Sequence, residues 1–171
     1  MRLLHFSDLH IGVENYGTIN PATGLSSRLG DFLSVFDEVV AFAIGHSVDL
    51  VILAGDTYKG RDPSQTHQRE LAKRLTRLSS AGVSTFLLVG NHDLSMVASR
   101  ATALEIYEVL QVPKVVVGDQ SRIYMVETRA GPIQIAALPW PRRSKMLSRD
   151  DSRGLSIEEI TEKVEKLCTE S

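Results

Sequence analysis

Short apolar runs alternating with longer amphipathic stretches dominate the first half of the chain. Leu3 to Ser7 is apolar and runs directly into Asp8 and His10, which predicts a buried strand feeding a functional loop. Gly12 to Ser27 is polar and rich in Gly and Asn, long enough to read as a functional loop rather than a bare connector. From Arg28 to His46, Leu29, Phe32, Leu33, Phe36, Val39, Val40 and Ala43 recur at three-and-four spacing, which predicts an amphipathic helix packed on a sheet. Asp49 to Ala54 predicts a second buried strand. After the turn-rich Gly60 to Ser64, with Asp62 as cap and Pro63 at the first helical position, Leu71, Leu75 and Leu78 line a second helix, which Gly82 ends. Ser84 to Val89 supplies a third strand. This alternation predicts a parallel sheet covered by helices, with its site beyond the carboxyl ends of the strands.

The pattern changes after Val89. Ala98 to Leu110 predicts a helix, and Lys114 to Val117, Arg122 to Thr128 and Ile133 to Leu138 predict strands. Arg129 to Pro132 reads as the hairpin turn between the last two. Pro139-Trp140-Pro141 breaks regular structure, Arg142 to Gly154 reads as a charged loop, and Leu155 to Leu167 predicts a helix capped by Ser156, with Glu159 completing a capping box. The fold class is therefore α/β, a parallel βαβαβ start followed by mixed strands.

Composition narrows the function classes. The chain has 171 residues, 43% of them hydrophobic, enough for one core. Its 19 basic and 21 acidic side chains leave a formal net charge of -2, so no global basic field advertises nucleic acid or membrane, and a polyanion would be held locally. Cys168 is the only cysteine, which excludes an internal disulfide and fits a reducing compartment. Neither a signal-peptide pattern nor a run near the roughly 18 apolar residues of a membrane span occurs. A soluble cytoplasmic protein without a membrane partner is expected.

The chemistry gathers at three strand ends. Asp8-Leu9-His10 places a carboxylate and an imidazole two residues apart, on one side of an extended backbone, where they can share an ion. Asp56 follows Gly55 at the end of the second strand, and Asn91 follows Gly90 at the end of the third. Any one of these residues alone fits a turn former. Together, at equivalent positions on neighbouring parallel strands, they form the hard oxygen and imidazole set of a two-metal hydrolytic centre, with Asp56 as the bridging ligand. His92 would project toward substrate, to protonate a leaving oxygen or stabilise charge on phosphorus, and Asp93 would orient its ring. His5 is expected to be packed in its strand. His46 and His67 are expected to be solvated or capping.

Phe6-Ser7-Asp8-Leu9-His10-Ile11-Gly12, Leu53-Ala54-Gly55-Asp56 and Val89-Gly90-Asn91-His92-Asp93 resemble the first three motifs of the calcineurin-like metallophosphoesterases. The segment from Tyr16-Gly17 to Leu29, Lys59 to Ser64, and Leu138-Pro139-Trp140-Pro141 narrow the resemblance to the nuclease subunit of the SbcCD and Mre-Rad repair complexes. The resemblance implies half of a phosphoesterase sandwich and a two-manganese DNA nuclease. Its ligands would be Asp8, His10, Asp56 and Asn91, its catalytic histidine His92, its partner a coiled-coil ATPase, and its assembly a homodimer. The later strand-end histidine and the Gly-His-x-His string of the family do not occur, and no histidine follows His92. Residues 1–171 are accordingly expected to be the amino-terminal part of such a domain, without the carboxyl-terminal half of the site or the DNA-binding cap, and to have little activity alone. The alternatives are another phosphoesterase of the superfamily, acting on a monoester or a cyclic nucleotide, and a non-catalytic assembly fragment.

Phosphate contacts are placed on Arg142, Arg143 and Lys59, although some relatives carry histidine where Lys59 stands, so no family role transfers to it. Arg69, Lys73, Arg74 and Arg77, at helical spacing, are a further basic face that could contact phosphate or simply be solvated. Trp140 reads as a core or rim anchor rather than a base-stacking platform.

Overall fold

A computed structural model describes residues 1–95, 100–140 and 155–169. Four parallel strands, β1 (Leu3–Phe6), β2 (Leu50–Ala54), β3 (Ser84–Leu88) and β4 (Val115–Gly118), form one sheet in sequence order. Helices α1 (Ser27–Gly45) and α2 (Gln65–Ser80) are the crossovers after β1 and β2. A short helix, α3 (Glu105–Val109), precedes β4, and β5 (Arg122–Thr128) and β6 (Gly131–Ala137) form a separate antiparallel hairpin.

The pleat divides the sheet between two cores. Val51, Leu53, Leu87 and Val117 face one way and pack with Leu29, Leu33, Phe36 and Val40 of α1 and Leu71, Leu75 and Leu78 of α2. Leu50 and Phe86 face the other way, against Tyr124, Val126 and Ala137 of the hairpin. The hairpin is fastened by Ser84 Oγ, which donates to Glu127 O at 2.6 Å, and by Arg129 Nη2, which donates to Val48 O at 2.6 Å.

Several expectations are corrected here. β1 is an edge strand, not a buried one: Leu4 and Phe6 pack toward α1, while Leu3 and His5 are exposed, so His5 is not packed in the core. The α2 cap is Ser64 rather than Asp62, because Ser64 Oγ accepts the otherwise orphaned His67 N–H at 3.3 Å, and Pro63 lies just outside the helix. Among the described residues only Glu105–Val109 of the expected Ala98 to Leu110 helix is helical; 96–99 lie outside the described residues. Of the basic residues of α2 only Arg74 is turned inward, while Arg69, Lys73 and Arg77 stay exposed and are paired with carboxylates. Buried Arg74 donates to Glu70 Oε2 at 3.1 Å and to Asp37 Oδ2 of α1 at 2.5 Å, Arg77 pairs with Asp37, and Lys73 and Arg69 pair with Glu70. Arg74 and Arg77 thus join α2 to α1 through Asp37, while Arg69 and Lys73 pair within α2.

The last helix, α4 (Ile157–Thr169), begins with the expected capping box: Ser156 N donates to Glu159 Oε2 at 2.7 Å, and Glu159 N to Ser156 Oγ at 3.2 Å. Arg142 and Arg143 lie outside the described residues. Among the described residues no helix is long and apolar enough to cross a membrane.

Candidate metal centre

The β1–β2 pairing does not stop where the strands do. Asp8 N donates to Gly55 O at 3.2 Å, His10 N to Asp56 O at 3.0 Å, and Ile11 N to Thr57 O at 3.0 Å; Lys59 N returns to Ile11 O at 2.9 Å. The two loops beyond β1 and β2 are thus zipped residue by residue, which carries Asp8, His10 and Asp56 to one place. His10 Nε2 lies 3.6 Å from Asp8 Oδ1 and 3.9 Å from Asp56 Oδ2. Asp8 and His10 converge as expected, but not by strand alternation: both have left-handed backbone, φ 59 and 46, and Asp56 has φ 51. Asp residues tolerate this region better than most.

The third loop is drawn in by side chains. His92 N donates to Asp56 Oδ1 at 3.0 Å. Asp93, fully buried, accepts from Thr57 N at 3.2 Å, Tyr58 N at 3.1 Å and Gly90 N at 3.0 Å. Burial pushes the Asp93 carboxyl above its ordinary pKa; the bonds from Gly90, Tyr58 and Thr57 work against this, and nearby Asp56 adds to it. The contact between the loops is close enough to require glycine. A Cβ on Gly90 would collide with Asp56 Oδ1 and the Asp56 backbone N, and Gly55 itself takes φ 96.

This arrangement corrects the role expected of Asp93. Its oxygens are engaged by backbone N–H groups of both loops, and the His92 ring instead places Nδ1 2.8 Å from the carbonyl of Lys59. Lys59 therefore acts at this site through its main chain, while its side chain is exposed. The pattern gave no signal for this carbonyl. Finding it needed the fold of the loop after Asp56.

The donor set fits a divalent cation. His10, Asp56 and His92 each offer a ligand atom, all within 4.8 Å of one another. Asp8 adds an oxygen beside His10, and Asp8, Asp56 and Asn91 line one cavity of about 360 Å³. Donors that bind a common ion at about 2.0–2.2 Å stand roughly 3 to 4 Å apart, the separation seen around His10 Nε2. His10 Nδ1 is buried without a hydrogen-bond partner among the described residues, while its Nε2 faces the carboxylates of Asp8 and Asp56. His10 and His92 meet edge to face, with centroids 4.9 Å apart.

Hard oxygens and imidazoles at the carboxyl ends of parallel strands define a metal-dependent hydrolase type of centre. In agreement, residues 1–149 match the calcineurin-like phosphoesterase family, and the chain belongs to that family. Over 92 residues, 54% of this chain, it is 36% identical to the DNA double-strand break repair protein Mre11 of Haloferax volcanii, covering 19% of that protein. It is 33% identical over 93 residues to the Mre11 protein of Methanosarcina mazei, covering 14% of it, and 32% identical over 95 residues to the uncharacterized metallophosphoesterase YhaO of Bacillus subtilis, covering 23%. The matched stretch thus spans less than a quarter of the length of each of these relatives.

Proposed function

We propose that the chain carries the first half of the metal centre of a DNA phosphodiesterase of the SbcD type, holding two divalent ions, manganese by preference. The observation that supports this most is the convergence of Asp8, His10 and Asp56 at the ends of β1 and β2, with Asn91 from beyond β3 lining the same cavity as Asp8 and Asp56. Asp56 is suited to bridge, since it faces both His10 and the third loop. When bound, the ions would supply an activated water and charge neutralisation at phosphorus.

The protein groups do the positioning. With Nδ1 held against the Lys59 carbonyl, the His92 ring is fixed in orientation, and its Nε2 is the atom left for a substrate oxygen or an ion. The likeness to DNA double-strand break repair proteins supports DNA as substrate; a coiled-coil ATPase as partner and a homodimer as the assembly of the full-length protein are proposed from the resemblance of the sequence motifs. Lys59, Arg142 and Arg143 are proposed phosphate contacts.

Two measurements test this reading. Calorimetric titration with manganese should give saturable binding that Asp56→Ala abolishes; no binding would favour the non-catalytic alternative. Manganese-dependent cleavage of linear DNA should exceed turnover of a phosphate monoester, and the reverse preference would favour another phosphoesterase of the family.

A further inference from the structure

The lining of the cavity at the metal centre brings together polar Asp8, Asp56 and Asn91 and, from the segment after β6, Leu138, Pro139 and Trp140. That segment is tied to the end of β3 by the main chain, for Trp140 N donates at 3.1 Å to the carbonyl of Val89, immediately before Gly90-Asn91. Pro139 is buried and fixes the approach of the backbone.

Trp140 is 58% exposed and Leu138 is 49% exposed. Tryptophan is on average a well-buried residue, so an indole left open in the cavity that Asp8, Asp56 and Asn91 line is informative. Among the described residues no aromatic ring and no guanidinium is seated on it: the ring pairs involve Phe6, Phe36, His10, His92, Phe42, His46, Phe86 and Tyr124, and the cation contacts are those of Phe32 and Tyr124. Of the expected core or rim position, the exposure of Trp140 therefore excludes the core and leaves the rim of the cavity. The cavity volume, about 360 Å³, lies at the small end of ligand sites and suits a single nucleotide unit.

We infer that Trp140 is the base-stacking platform of a nucleotide subsite, holding an unpaired base against the indole while the adjoining phosphate lies toward Asp8, Asp56 and Asn91. This rests on the phosphodiesterase reading above and makes it more specific. The substrate strand must present an unstacked base at the centre, so single-stranded or frayed ends are preferred to continuous duplex. Stacking tolerates every base, since each has a π face, and selects against phosphodiesters that carry none.

Trp140 is the only tryptophan, so its fluorescence reports this subsite alone. With manganese present, a short single-stranded oligonucleotide should quench it saturably, whereas an abasic strand of the same length should bind about fivefold to a hundredfold more weakly and leave the emission unchanged. Trp140→Leu should abolish the preference for the base-bearing strand in a competition assay, and Trp140→Phe should restore part of it. Equal affinity for the two strands, or saturable binding with no change in emission, overturns the platform. Should that occur while manganese still binds saturably and Asp56→Ala abolishes that binding, the phosphodiesterase reading stands; base discrimination without Asp56-dependent manganese binding sinks that reading and keeps the platform.

Discussion

The carboxylate of Asp93 accepts the backbone N–H of Tyr58 from a position 35 residues further along the chain, and it does so in the fully buried centre of the loop cluster. The same side chain takes the N–H groups of Thr57 and Gly90. It is thereby the fastening between the loop that carries Asp56 and the loop that carries Asn91 and His92. Asp93→Ala leaves three backbone donors without this acceptor, and a loss of about 3 kcal/mol in urea unfolding is expected. Asp93→Asn, which keeps one acceptor oxygen, should lose less and retain part of the manganese affinity.

Gly90→Ala tests the close approach of the same two loops. The added Cβ meets Asp56 Oδ1 and the Asp56 main chain, so the loops must part. Overpacking of this kind costs about 1–3 kcal/mol. Manganese affinity, measured by calorimetry, should fall by at least tenfold because Asp56 is displaced.

His92 and Lys59 are expected to separate cleanly. His92→Gln should lower DNA hydrolysis at saturating substrate by about a hundredfold or more, the range of a lost acid–base group. Lys59→Ala keeps the carbonyl that faces His92 Nδ1 and should leave that rate within a few-fold. Its effect should fall on DNA affinity, with the salt dependence reduced by about one charge.

Acid sensitivity should trace in part to Glu70. Burial pushes this carboxyl up, but hydrogen bonds from Lys73, Arg69 and Arg74 outweigh burial and hold it below the ordinary value of 4.5. A lowered folded pKa means that the unfolded chain takes up the proton first. The stabilisation is complete above about pH 4.5 and is lost as the pH falls through the lowered value. Glu70→Gln should be less stable at neutral pH, and its unfolding midpoint should change less between pH 5 and pH 3 than that of the unaltered chain.

The clamp between the loop after His10 and α2 offers a milder perturbation. His67 Nε2 lies 2.7 Å from Glu14 Oε1, and the His67 ring occupies the space beside Gly12. Glu14→Gln should cost no more than about 1 kcal/mol in urea unfolding, as expected for a partly exposed pair.

Element order, the two helices, the hairpin and the Ser156–Glu159 capping box were legible in the sequence, because periodicity, glycine placement and capping chemistry are local properties. So was the gathering of Asp8, His10, Asp56 and Asn91 at strand ends, since parallel strands in sequence order place their carboxyl ends side by side. Only the tertiary structure decided how these residues are held. The left-handed backbone of Asp8 and His10, the inward turn of Arg74 onto Asp37, the exposure of His5 at a sheet edge and the Lys59 carbonyl at His92 all depend on partners far away in the chain. Asp93 stands next to His92 in sequence, yet its oxygens are claimed by the N–H groups of two loops that meet only once the sheet has formed. A buried carboxylate must satisfy its oxygens with whatever donors the fold brings to it, and that choice is written in three dimensions.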